Sequence, residues 1–197
     1  MPCLYWKPEK KESTWQLIPD TLQAREKAIS QGGMFMTWMS FSAPVNGNGG
    51  PEPVRFGDFP LDFDAPDIEG ALKDLRALCL YHLPQLYAAD PFEMRFYLSG
   101  GKGFHCILPA RWFNAEKGDT HLPLIYKGIA TRWKSQFDLS TLDLSLYCMR
   151  KGKMFRLPNV RRENGFFKVP LSVDEIQSLP VDELVELGKK PRFLETI

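Results

Sequence analysis

Cysteine clusters, charge of one sign and long apolar runs are all missing from this 197-residue chain. Each absence narrows what it can be. Cys3, Cys79, Cys106 and Cys148 stand far apart, with no CxxC and no Cys/His grouping, so no structural zinc is expected. Single cysteines in apolar surroundings fit reduced core residues and a cytosolic setting. A net charge of +1 excludes a polycation, so any affinity for nucleic acid must come from a local patch. No apolar run approaches the roughly 18 residues of a membrane span. The first residues carry no signal-peptide pattern, and a cytoplasmic protein without a membrane partner is expected. Internal repeats and low-complexity tracts are also missing.

What is present is an ordinary globular composition, 44% hydrophobic and 25% charged, with aromatic residues plentiful at 13%. The length suits one sizeable domain or two small lobes on a shared core. The chain is organised around Tyr97–Leu108, YLSGGKGFHCIL. Apolar runs enter and leave a turn made of Ser99, Gly100, Gly101, Lys102 and Gly103, and His105 is embedded in the second run. Glycines let the backbone approach a ligand closely and present N–H groups to an anion. Lys102 adds a point charge and Ser99 a hydroxyl. The unit reads as strand–turn–strand, with the turn suited to a phosphate chain. A Walker loop needs four residues between its glycines, then Lys-Ser/Thr and a helix. Here the segment after the turn is too apolar, and too short before Pro109, to be that helix. The bland alternative is a glycine-rich hairpin with a buried, hydrogen-bonded histidine.

Upstream, the aromatic residues of 1–18 suggest an arm that packs onto something. Pro19-Asp20 predicts a helix start with Asp20 as cap and an end at Gly32-Gly33. Met34–Phe41 reads as one buried strand. Ser42–Pro53 is turn-rich and reads as a mobile linker rather than a substrate flap. Val54–Asp64 predicts a strand with a break at Pro60. Leu61 and Phe63 face one way on it, Asp62 and Asp64 the other. Two carboxylates on one strand face repel unless a cation lies between them, which suits a hard divalent ion. A solvated strand end is the alternative. A helix capped at Pro66-Asp67 follows, with Ile68, Ala71, Leu72, Leu75, Leu78 and Cys79 on its apolar side.

Downstream, Leu124, Ile125, Ile129 and Trp133 predict a helix over 122–137, with Trp133 in the core. Leu142–Tyr147 alternates and predicts a strand. It places Leu142, Leu144 and Leu146 on one face, Asp143, Ser145 and Tyr147 on the other. Residues 150–168 are strongly basic, carrying Arg150, Lys151, Lys153, Arg156, Arg161, Arg162 and Lys168 against Glu163. Asn164-Gly165 between two apolar stretches signals a hairpin. A charged edge hairpin explains the same residues without a ligand. Ser172–Glu175 is a capping box, and Pro180 starts a second short acidic helix ending at Gly188. Both are expected to be peripheral.

Taken together, FPLDFD, then SGGKGFHCIL, then LDLSLYCMRKGKMFRLPNVRRENGFFKVPLS resemble the three motifs of the archaeo-eukaryotic primase (AEP) superfamily, which includes primase-polymerases and bacterial end-joining polymerases. The resemblance covers about 56–171. It implies an α+β catalytic core in which an RRM-like antiparallel sheet bears the acidic residues, an N-terminal α/β unit bears the glycine turn, and a cleft lies between. It implies one catalytic domain over 1–197, with a helix, strand and flexible loop in 1–53, the core in 54–171 and peripheral helices in 172–197. By the same resemblance Asp62, Asp64 and Asp143 hold two divalent ions, Mg²⁺ or Mn²⁺. Ser99, Gly101, Lys102, Gly103, His105, Lys153 and Arg156 grip a triphosphate. Arg150, Lys151, Arg161 and Arg162 meet nucleic acid. The implied activity is template-dependent nucleotidyl transfer by a primase or DNA polymerase. The partners would be single-stranded DNA, NTPs or dNTPs, and a helicase or another replication or repair protein, in a nucleoid- or plasmid-associated setting. The zinc-binding cysteines of several members are missing. Two other functions compete: a metal-dependent nuclease or phosphotransferase, and a non-catalytic nucleic-acid-binding module of a replication complex.

Overall fold

The computed structural model describes residues 1–8, 14–45 and 51–194. The central part of the expected mobile linker, 46–50, lies outside the described residues, as does 9–13 of the N-terminal arm. The fold is α+β, built on two antiparallel sheets. Strands β1 (Cys3–Lys7) and β2 (Gln16–Pro19) pair antiparallel, so the arm becomes sheet. Helix α1 (Leu22–Ser30) is capped by Thr21, whose Oγ1 accepts from the Ala24 N–H; the expected cap, Asp20, instead pairs with Arg25 at 2.6 Å. The stretch expected to be one strand over 34–41 divides into β3 (Phe35–Thr37) and β4 (Ser40–Phe41). The next divides into β5 (Arg55–Phe56) and β6 (Phe59–Asp64). The break falls at Gly57-Asp58, and Pro60 lies inside β6, opposite Ile107.

Asp67 caps α2 (Ile68–Arg76), its side chain accepting from the Glu69 N–H. The helix continues through a π-helical turn, Ala77–His82, into α3 (Leu83–Tyr87). Strands β7 (Arg95–Leu98) and β8 (Gly103–Leu108) flank the glycine turn as the apolar runs predict. Helix α4 (Leu122–Gln136) forms where expected, but its buried side is Leu122, Tyr126, Ala130 and Trp133. Leu124 and Ile125 are exposed, because the apolar positions in this helix wrap more than one face. Trp133 stacks on Phe59, with ring centroids 5.5 Å apart.

The expected strand over 142–147 does not form. A single bridge joins Leu142 to Phe63, and a 3₁₀ turn follows at Leu144–Leu146. Tyr147, expected on the polar side, is buried. Nor do the two arms of the basic hairpin pair along their length. Strand β9 (Met154–Arg156) joins β3, and β10 (Val169–Leu171) joins β7, leaving a small hairpin closed by the Arg161–Phe167 bridge. The Ser172–Glu175 capping box opens α5 (Val173–Ser178), and Pro180 precedes α6 (Val181–Leu187). Ile176 and Leu184 of these helices are fully buried.

The chain divides into two compact units. The first comprises 1–58, 110–127 and 145–157, the second 59–109, 128–144 and 158–197. The first is built on the sheet β5-β4-β1-β3-β9, with β2 on the other side of β1. Leu4, Trp6 and Met36 pack with Ala28 of α1 there. The second is built on β10-β7-β8-β6. Phe59, Leu61 and Phe63 of β6, Phe96 and Leu98 of β7, and Phe104, Cys106 and Leu108 of β8 point to one side of this sheet and are buried. The other side carries the polar residues. Cys3, Cys79 and Cys106 are buried as expected of core thiols, whereas Cys148 is exposed.

Candidate active site

The second unit's sheet aligns the polar residues in rows, because strand side chains alternate and the registers are fixed by the buried side. One row runs Pro170, Tyr97, His105, Asp62 from β10 to β6. The chain extends it by one more position. The Asp143 N–H donates to the Asp62 carbonyl at 2.8 Å, and the Asp64 N–H to the Thr141 carbonyl at 3.0 Å. With Phe63 opposite Leu142, this register sets Asp143 opposite Asp62, with Asp64 two residues along the same face. Directly opposed residues have Cβ atoms about 4.5–5.5 Å apart. All three aspartates therefore share one sheet face, while Phe63 and Leu142 occupy the core side. Among the described residues, no three His, Cys, Asp or Glu side chains converge on one point as a ready ligand set.

His105 is mostly buried on β8, and its Nε2 stands 3.4 Å from Oδ1 of Asp62. Burial holds its pKa below the ordinary value and the nearby Lys168 charge lowers it further, while the bond to Asp62 opposes both. Burial thus favours the neutral ring, and Nε2 lies where it can donate to the carboxylate.

The glycine turn belongs to this same sheet, not to an N-terminal unit as the resemblance implied. The Ser99 N–H donates to the Gly103 carbonyl at 2.9 Å and closes the turn. The Ser99 hydroxyl accepts from the Gly101 N–H at 3.2 Å. Two glycines are obligatory for steric reasons. A Cβ on Gly103 would lie 1.9 Å from the Phe63 carbonyl oxygen, and one on Gly100, at φ +73°, would lie 2.7 Å from the Phe167 backbone. Lys102 is exposed at the tip. The Arg161–Phe167 hairpin lies against the turn: Arg162 Nη1 donates to the Ser99 carbonyl and Asn164 Nδ2 to the Gly100 carbonyl, each at 3.0 Å.

Lys168, counted in sequence only as part of a basic run, is the residue that pattern reading missed. It is 3% exposed. Its Nζ stands 4.8 Å from the centre of the Tyr97 ring. Burial brings its pKa down to about 7, with the Asp62 charge opposing the fall and Arg95 adding to it. The only local signal is its place just before the apolar β10, where a core-side Val169 forces its neighbour to the polar side.

The other basic residues singled out in sequence belong to the first unit and are engaged there. Lys153 Nζ donates to Ser145 Oγ. Arg156, opposite Phe35 on β3, places its guanidinium 4.5 Å from that ring's centre, and Lys151 lies 4.5 Å from the Tyr5 ring. The Arg150 carbonyl accepts from the fully buried Arg55 at 3.4 Å. Among the described residues, no helix is long and apolar enough to cross a membrane.

No family model matches the chain, and no curated protein matches it. Among solved structures, the chain is similar to the polymerase domain of ligase D from Mycobacterium tuberculosis, determined in complex with DNA. The alignment covers 93% of this chain and 69% of that one, at 16% identity and a TM-score of 0.49.

Proposed function

We propose that the chain is a template-dependent nucleotidyltransferase, a DNA primase or polymerase acting on single-stranded or primed DNA. One observation carries this reading. A single sheet face carries Asp62, Asp64, Asp143, His105 and a buried Lys168, and the glycine turn joins two of its strands. Carboxylates select hard divalent ions, while the turn and the buried ammonium suit a polyphosphate, and nucleotidyl transfer needs both.

Carboxylate oxygens are the chemistry that Mg²⁺ or Mn²⁺ takes, and Asp62, Asp64 and Asp143 are the residues that would hold it. Such ions would supply activation of a 3′-hydroxyl and neutralisation of charge on the attacked phosphate. The chain's own groups do the rest. His105 donates to Asp62 and holds that carboxylate's orientation, as partners of metal-binding groups do. Ser99, Lys102 and the turn amides take the polyphosphate. Lys168 meets it with an ammonium already stripped of water, so its attraction is less screened than that of a surface lysine. Arg161 and Arg162 of the hairpin lie next to this turn. Lys153 and Arg156 would meet the triphosphate, and Arg150 and Lys151, with Arg161 and Arg162, the nucleic acid.

The test is a gel assay on a single-stranded DNA template with NTPs or dNTPs, with and without an annealed primer, in Mg²⁺ and in Mn²⁺. The folded Asp62→Ala/Asp64→Ala protein is the control. Products that vanish in the control establish the transferase, and synthesis without primer makes it a primase. Template degradation instead of extension would establish a nuclease. DNA binding without either would leave a binding module and overturn the proposal.

A further inference from the structure

The small hairpin 161–167 makes hydrogen bonds that its own closure does not require. Closure is supplied by the Arg161–Phe167 bridge, by the Arg162 N–H bond to the Phe166 carbonyl at 2.7 Å, and by the Phe166 N–H bond to Asn164 Oδ1 at 3.2 Å. The other end of the Asn164 amide leaves the hairpin and holds the Gly100 carbonyl, while Arg162 holds the Ser99 carbonyl. In a trans peptide the C=O and the following N–H point in opposite directions. Fixing these two carbonyls against the hairpin therefore turns the N–H groups of Gly100 and Gly101 away from it. The Gly101 N–H meets Ser99 Oγ, which ties the hydroxyl into the same arrangement. Close packing leaves the turn little freedom to rotate. A Cβ on Gly101 would lie 3.0 Å from the Arg162 guanidinium, and one on Gly100 2.7 Å from Phe167.

We infer that Asn164 is a positioning residue: by fixing the peptide whose Gly101 N–H donates to Ser99 Oγ, it orients the Ser99 hydroxyl for donation to a polyphosphate without touching the ligand itself. A glycine-rich turn left free samples many peptide orientations, and binding must then supply the ordering. Here the hairpin supplies it beforehand. The inference rests on the glycine turn being a polyphosphate site, as proposed above, and not on the reaction performed there.

The probe is inorganic tripolyphosphate, titrated into the intact protein by calorimetry, with single-stranded DNA affinity and the thermal midpoint measured alongside. Asn164→Ala removes both bonds of the side chain. Asn164→Asp keeps the acceptor for the Phe166 N–H and removes only the donor to Gly100; its added charge is screened by raising salt. Both variants should bind tripolyphosphate roughly five- to tenfold more weakly, at high as at low salt, in keeping with one hydrogen bond's worth of orientation. DNA affinity and the midpoint of Asn164→Asp should stay unchanged. Unaltered tripolyphosphate affinity in both variants overturns the inference, as does a parallel loss of DNA binding and thermal stability in both. Absence of tripolyphosphate binding by the parent overturns it too. A parent that binds tripolyphosphate, loses it in the variants and extends no primer would refute the polymerase reading while upholding Asn164's role.

Discussion

Lys168→Met separates the energetic role of a buried ammonium from its use in binding. The parent lysine is 3% exposed, and its pKa falls from 10.5 to about 7 on folding. At about 1.4 kcal/mol per pH unit, holding the charged form costs the fold about 4–5 kcal/mol at and below neutral pH. The sign follows from proton counting. Between pH 7 and 10.5 the unfolded chain binds more protons at this residue than the folded one, so stability rises with pH. Below 7 both states are protonated and the penalty stays constant. From pH 7 to 9 the gain from this residue is about 2 kcal/mol. Methionine keeps most of the stem and loses the charge, together with its attraction to Asp62. The variant should therefore be more stable than the parent by about 1–3 kcal/mol at pH 7, with the gap closing toward pH 9. Urea unfolding followed by tryptophan fluorescence at pH 7, 8 and 9 measures this directly. Nucleotide affinity should move the opposite way, falling at least about tenfold. Equal stability at pH 7, or parallel pH profiles for the two proteins, would refute the account of Lys168 as a desolvated cation.

Further substitutions test the frame around the site. Gly103→Ala must push β6 away from β8, since its Cβ would lie 1.9 Å from the Phe63 carbonyl oxygen. It should lose about 3 kcal/mol or more in urea unfolding. Gly165→Ala meets nothing closer than 3.7 Å and should lose only about 1 kcal/mol, for its φ of +88°. Trp133→Ala removes the ring stacked on Phe59 and should lose about 3–5 kcal/mol by the same measurement. Ser172→Ala deletes one half of the capping box and should lower stability by about 1 kcal/mol, read as a fall in the thermal midpoint by circular dichroism.

The parts legible in sequence are those decided by neighbours a few residues away. Alternation across FPLDFD placed Leu61 and Phe63 in the core and Asp62 and Asp64 on the opposite face, because strand geometry leaves no other choice once one face is buried. The glycine turn, the Asp67 cap and the Ser172–Glu175 box are equally local. Asp143 was assigned to a polar sheet face for a reason that only half holds. Its alternating neighbours form no strand, and a single bridge at Leu142 is enough to align it with Asp62. Beyond Leu146 the pattern fails, since Tyr147 is buried against expectation.

What stayed hidden depends on pairings between distant segments. Nothing within Arg150–Lys168 says that its two ends join different sheets, yet that separation decides the role of every basic residue in it. It sends Arg156 to a cation–π contact with Phe35 and leaves Arg162 and Asn164 on the glycine turn. It also buries Lys168, because Val169 pairs with Leu98 and draws the preceding residue onto the polar face. A buried lysine is an exception that local pattern cannot anticipate, since desolvation disfavours it and only tertiary structure can impose it. Such an exception, set beside an aspartate, a histidine and a constrained glycine turn, is more informative than the other six cations of the basic run taken together. A cation at the surface can be solvated wherever it lies, whereas a buried one is tolerated only where the surrounding fold holds it in place.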